Sequence, residues 1–258
     1  MNFIFTLAQY APYYTESSGY AMNQGSGMYS GISIIGVGLI LLAGLIGGIV
    51  QSRMQASVKK YSAEPAPLTG AQVARRMLDS YGLHHVQVTH TPGALTDHYN
   101  PANHTVNLSD TVYSQATVAA MAVAAHECGH AVQHATAYGP LTLRTALVPT
   151  VQIASNWMQW VLLAGILLIE VFPTILLIGI ILFALTTLFS FVTLPVEIDA
   201  SQRACRWLCA ARITTPQDQP NAEAALRAAA YTYVVAAHGT HATLRNNVMI
   251  FLGSSNDD

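Results

Sequence analysis

The chain has 258 residues, of which 52% are hydrophobic and only 9% are Asp, Glu, Lys or Arg, where an ordinary soluble domain carries roughly 25% charged residues. So few charges cannot cover the surface of a soluble protein of this size. The net charge of −2 supplies neither the basic field that attracts nucleic acid nor an acidic tail, which argues against nucleic acid as a partner.

Residues 1–30 form a polar and aromatic tail without Lys or Arg. The run GISIIGVGLILLAGLIGGIV at 31–50 carries no charge, and as a helix it extends ~30 Å, the thickness of a bilayer's hydrocarbon core. It reads as a first transmembrane helix. It follows thirty residues with no basic region at Met1, so a retained span is expected in preference to a cleaved signal.

The stretch 51–62 is basic and polar and leads into a proline-containing linker at 64–67. Thr69 is placed to cap a helix through Ala71, Val73, Ala74, Met77, Leu78 and Tyr81, with Gly82 as its stop. Short β-rich segments follow at 86–89 and 105–108, with turn chemistry at Thr91, Pro92, Gly93, Asn100 and Pro101 between them. From about Ser114 to Ala137 the sequence is Ala-rich and helical, and this helix contains AAHECGHAVQHA.

Two further charge-free runs, 145–169 and 171–196, are separated only by Glu170, with Pro173 close behind. They read as a hairpin crossing the membrane twice. Gln152, Asn156 and Gln159 make the start of the second span less apolar, so it is expected to begin near Val151. Pro195 is expected to break the third span, with another helix following Glu197 to about Leu208 and an Ala-rich one from Ala222 to Ala237.

Every basic residue, from Arg53, Lys59 and Lys60 through Arg144 to Arg245, lies outside the tail and the turn at Glu170. By the positive-inside rule the side that holds them is the cytoplasm. The expected organisation is a tail at 1–30, spans at 31–50 and 146–196, and cytosolic parts at 51–145 and 197–258. The fold class is mainly α, with integral membrane helices and a small α+β cytosolic catalytic part of zincin-like, gluzincin type.

His126, Glu127 and His130 spell HExxH. On a helix two histidines four apart project from one face, close enough for both imidazoles to reach one tetrahedral zinc. Glu127 lies beside that face, where its carboxylate can take a proton from an attacking water. Two histidines on an Ala-rich helix also occur as mere packing, so the motif needs context.

A catalytic zinc usually takes three protein ligands, so a third is required. His134 continues the spacing, but on a straight helix it lies ~12 Å along the axis from His126, and it reads as an outer-shell or structural residue. The pattern HExxHxxGxxH is absent, because Gln133 and Thr136 stand at its last two places. Glu197, in LPVEIDASQRA, returns to the side of the histidines after two crossings, which allows it to meet them.

With AAHECGHAVQHA, LTDHYNP, LTLRTALVP and LPVEIDASQRA together, the sequence resembles the YugP-type membrane zinc metallopeptidases of bacteria. More distantly, HExxH followed by a membrane hairpin and a Glu is similar to the HtpX-type integral membrane peptidases. The resemblance implies one zinc per chain, ligated by His126, His130 and Glu197, with Glu127 as catalytic base. In the HtpX-type proteins the later motif is ExxxD, whereas Ser201 stands at its last place here, and Asp199 is the substitute to consider. Tyr231, Tyr233 and His238 are low-ranking candidates for an oxyanion donor.

The expected function is therefore a zinc-dependent endopeptidase in the bacterial inner membrane, with the bilayer and a peptide or protein substrate as partners. An extended substrate is expected to pair along 105–108. The alternative is a zinc-binding membrane scaffold or regulator without activity, against which the intact Glu127 argues. An intramembrane protease would need a later membrane Asp, and a transporter an intramembrane ionisable residue; the second and third spans offer neither. Cys128, Cys205 and Cys209 form no paired framework and fit a reducing compartment. Cys205 and Cys209 share a helix face and read as packing.

Overall fold

The computed structural model describes residues 59–169, 171–214 and 219–226, together with separate helical residues between 42 and 56 and between 244 and 251. These form two compact units, one built from the described residues of 50–142 and 193–226, the other from those of 42–49, 143–192 and 244–251. The chain is mainly helical with one small sheet.

In the first unit, helix α1 (Gly70–Ser80) starts at a reciprocal cap. Gln72 N donates to Thr69 Oγ1 at 3.3 Å and Thr69 N donates to Gln72 Oε1 at 3.0 Å, which satisfies two of the donors a helix start leaves orphaned. Val73, Ala74, Met77 and Leu78 fall on one face and are buried, as their three- and four-residue spacing dictates.

Strands β1 (Gln87–Thr91), β2 (His98–Asn100) and β3 (Thr105–Ser109) form a sheet in the order β1-β3-β2. β3 pairs parallel with β1 and antiparallel with β2. The segment expected to offer a free edge to substrate is thus the central strand, paired on both sides, and β2 carries the edge instead. Strand β2 spans three residues, His98, Tyr99 and the turn-forming Asn100, with Pro101 following, and is too short to register as a strand in the sequence.

A one-turn helix α2 (Asp110–Tyr113) precedes α3 (Val118–Ala135). The long helix therefore starts four residues later than Ser114, because Thr117 is the residue whose hydroxyl accepts from Ala120 N and caps it. α3 is buried on nearly every side, which is what its run of alanines allows: small side chains let α1, the sheet and the later helix approach it closely. The core joins Met77, Leu78, Val106, Leu108, Met121 and Leu208.

In the second unit, α4 (Gly139–Leu167) and the first part of α5 (Pro173–Ala210) pack as an antiparallel hairpin. A Cβ added at Gly165 would lie 2.5 Å from Leu176 Cα, so glycine is what lets the two backbones meet there. Met158, Leu162, Leu176, Ile180 and Phe183 make the small core of this pair. Trp157, Trp160, Ile166, Phe172, Ile181 and Leu188 remain exposed on its outside.

Among the described residues, α5 is the one helix long and apolar enough to cross a membrane. α4 falls short, its mean hydropathy reduced by Gln152, Asn156 and Gln159. It also begins at Gly139 and carries Pro149 within it, well before the start near Val151 expected for the span. Most of the run 31–50 lies outside the described residues, of which 42 and 44–50 are helical.

Pro195 does not break the helix: α5 continues unbroken from Pro173 to Ala210. A proline removes a single backbone hydrogen bond, whereas ending the helix would orphan several N–H and C=O groups in an apolar setting. The consequence is functional, because Glu197 and Ser201 then lie one turn apart on the same helix face.

Candidate metal centre

Helix α3 sets His126 and His130 side by side, ring centroids 4.8 Å apart and planes nearly perpendicular. Their partner arrives on α5, which crosses α3 at Gly129. A Cβ on Gly129 would sit 2.6 Å from the Ala200 carbonyl oxygen, so only glycine admits this approach. The contact brings Glu197 Oε2 to 3.2 Å from His126 Nε2 and 3.5 Å from His130 Nε2. One donor atom from each of the three lies within 4.8 Å of the others, and these residues could hold a metal ion.

The polar atoms themselves fit a cation. His130 Nε2 is buried and makes no well-formed hydrogen bond, its polar neighbour being Glu197 Oε2 at 3.5 Å, a costly situation for a ring nitrogen unless something else occupies it. Its tautomer follows from its neighbours. Gln133 Nε2 donates to Val196 O and to Asp199 Oδ2, both at 2.8 Å, so the Gln133 oxygen faces His130 Nδ1 at 3.0 Å. That oxygen accepts only, hence Nδ1 carries the proton and Nε2 presents its lone pair toward Glu197 and His126.

His126 is fixed in a similar way, with Nδ1 3.1 Å from Ser201 Oγ. Ser201, not Asp199, is thus the residue that reaches His126 Nδ1. Asp199 acts one step further out, through Gln133, and is itself held by Arg203 Nε at 2.6 Å.

Glu127 is buried beside the triad. Tyr99 N, on the outer edge of β2, donates to Glu127 Oε2 at 3.1 Å. Burial pushes the Glu127 carboxyl up to about 7, His126 pulls against this, and the negative charges of Glu197 and Asp97 add to it. Asp97 in turn accepts from Ser109 N at 2.7 Å and Ser109 Oγ at 2.9 Å, tying the start of β2 to the end of β3.

His134 touches neither His126 nor His130 through a hydrogen bond; its Nδ1 lies 3.0 Å from the Tyr99 hydroxyl. Tyr231, Tyr233 and His238, the candidate oxyanion donors, lie outside the described residues. Gln133, Tyr99 and Asp97 have places at the site that the sequence reading did not assign. For Gln133 a signal existed: it stands three residues after His130, on the same helix face, where an orienting partner would have to be.

A donor set of two imidazoles and a carboxylate with an adjacent unligated carboxylate is the arrangement of a metal-dependent hydrolase. The chain belongs to the family described as "Putative neutral zinc metallopeptidase", whose model matches residues 36–252. It is 39% identical over 210 residues to a protein of Bacillus subtilis (strain 168) named "Putative membrane protease YugP", an alignment that covers 81% of this chain and 92% of that protein. The family resemblance read from the four motifs is thereby shown. No solved structure matches the chain.

Proposed function

We propose that this protein is a membrane-bound zinc endopeptidase whose metal is held by His126, His130 and Glu197 and whose general base is Glu127. The observation that supports the reading is the convergence of one donor atom each from His126, His130 and Glu197 within 4.8 Å of one another, with the carboxylate of Glu127 following His126 in the chain. Zinc bound there would polarise a peptide carbonyl and lower the pKa of water at the site.

The chain's own residues account for the rest of the proposed reaction. The Glu127 carboxylate takes a proton from the attacking water and passes it to the leaving amine. The Tyr99 N–H holds that carboxylate in place, and the edge of β2 offers backbone groups to an extended substrate. Gln133 and Ser201 keep the two imidazoles in the tautomer and orientation that ligation needs. Tyr231, Tyr233 and His238 remain the proposed oxyanion donors.

The proposed topology has spans at 31–50 and 146–196, with the metal centre at the cytoplasmic face of the bacterial cell membrane. The exposed apolar side chains of α4 and α5 support it, since a patch of this kind calls for lipid or a partner. The relative's name as a membrane protease and the one-sided distribution of Lys and Arg support it as well. The test is cleavage of an unfolded protein by the detergent-purified chain: a chelator should abolish it and added Zn2+ restore it. Zinc-loaded protein that cleaves nothing would leave a metal-bound scaffold instead.

A further inference from the structure

The last turn of α3 is tied to α5 by a closed circuit of contacts around Gln133. Gln133 Nε2 donates to Asp199 Oδ2 at 2.8 Å, and Arg203 Nε donates to that same oxygen at 2.6 Å. The Arg203 guanidinium carbon lies 5.8 Å from the centre of the Tyr138 ring. Tyr138 closes the circuit through its backbone, donating from N to Gln133 O at 2.9 Å. The left-handed Ala137 (φ 49°), just beyond the end of α3, turns the chain back for that bond.

This circuit settles an amide that could otherwise face either way. A carboxylate accepts only, so Asp199 requires the NH2 group of Gln133 on its side, and Val196 O accepts from the same group at 2.8 Å. The Gln133 oxygen is thereby turned to His130 Nδ1, 3.0 Å away. An Arg–Asp pair four residues apart on a helix is ordinarily worth little. Here its surroundings differ: Gln133 is fully buried, Asp199 and Arg203 are largely shielded from solvent, and the guanidinium lies against an aromatic ring, which suits its planar shape.

We propose that Arg203 is a positioning residue of the metal centre: it holds Asp199 against Gln133, and Gln133 in turn holds the His130 imidazole with Nε2 toward Glu197. The inference rests on the reading of His130 as a ligand. The sign of the effect separates positioning from charge. A guanidinium near a cation site repels the ion, so on charge alone its removal would tighten zinc binding. Removal of a brace weakens it.

The test is zinc affinity, measured by chelator competition on the detergent-purified full chain. Arg203→Gln should weaken zinc binding about tenfold, the lower end of what an outlying partner of a metal ligand contributes. In an Asp199→Ala background, where the route to His130 is already cut, the same substitution should cost nothing further. Arg206→Gln is the control, because Arg206 is a cation of the same helix that bonds Gln202 instead, at 3.0 Å; it should not weaken binding. Unchanged or tighter binding in Arg203→Gln, an equal loss in the Asp199→Ala background, or the same loss in Arg206→Gln would overturn the proposal. Wild-type protein that takes up no zinc would instead remove the metal centre itself, and the positioning role with it.

Discussion

Ser201 Oγ lies 3.1 Å from His126 Nδ1, one helical turn beyond Glu197, so a single helix face carries both a proposed ligand and the group beside a second proposed ligand. Ser201→Ala removes that partner and is expected to weaken zinc binding roughly 10- to 100-fold. Ser201→Asp should recover the loss, because a carboxylate accepts the same Nδ1 proton and raises the basicity of the ring. Chelator competition on the purified variants measures both.

Gln133 holds the equivalent place for His130, but buried, and bonded to Val196 O and Asp199 as well. Gln133→Leu should therefore cost more than Ser201→Ala, adding about 1–3 kcal/mol of stability for the polar groups left unpaired to a loss in zinc affinity. Asp199→Ala should cost less, since it reaches His130 only through Gln133. Thermal unfolding with and without zinc separates the two contributions.

Gly129 sets the distance between α3 and α5. Gly129→Ala places a methyl group 2.6 Å from the Ala200 carbonyl oxygen, and the atoms it meets are backbone, so the helices must part. The expected loss is about 1–3 kcal/mol of stability. Because Glu197 recedes from the histidines, the stabilisation that zinc confers should shrink with it. A variant that gains as much from zinc as the wild type would show that the approach is incidental.

Much of this site could be read from the chain alone, because its geometry is local. His126, Glu127 and His130 sit within five residues, and a helix fixes their relation whatever surrounds it. Glu197 required the hairpin between 145 and 196 to return the chain, and the structure brings it to both histidines. The same reasoning failed at Pro195, where local propensity argued for a break and the continuity of a long apolar helix prevailed. Strand β2 escaped because three residues carry no periodicity. With it went Tyr99, whose role is played by its backbone N–H, a group every non-proline residue shares and no sequence marks.

The proposed topology is tested by cysteine labelling, and burial decides which cysteine can report. Cys128 is buried, and that burial pushes its thiol pKa up, so it would resist a thiol reagent on either side of a membrane. Cys209 is exposed and is the informative residue. It should be shielded from an impermeant reagent in intact cells and labelled after permeabilisation, whereas a cysteine placed at Gly19 should label from outside. The reverse pattern would invert the orientation.

In the proposed reaction Glu127 and the three donors beside it divide the labour between proton transfer and metal binding. Glu127→Gln keeps the shape of the side chain but cannot accept the water's proton, and Glu127 is not among the three residues whose donor atoms converge and could hold the metal. Measured on one detergent-purified preparation, peptide cleavage by this variant should fall by about 10²- to 10⁴-fold, while its zinc content stays equal to that of the wild type. Loss of zinc together with activity would make Glu127 a ligand, and cleavage near the wild-type rate would remove it from the reaction; either result would contradict the account.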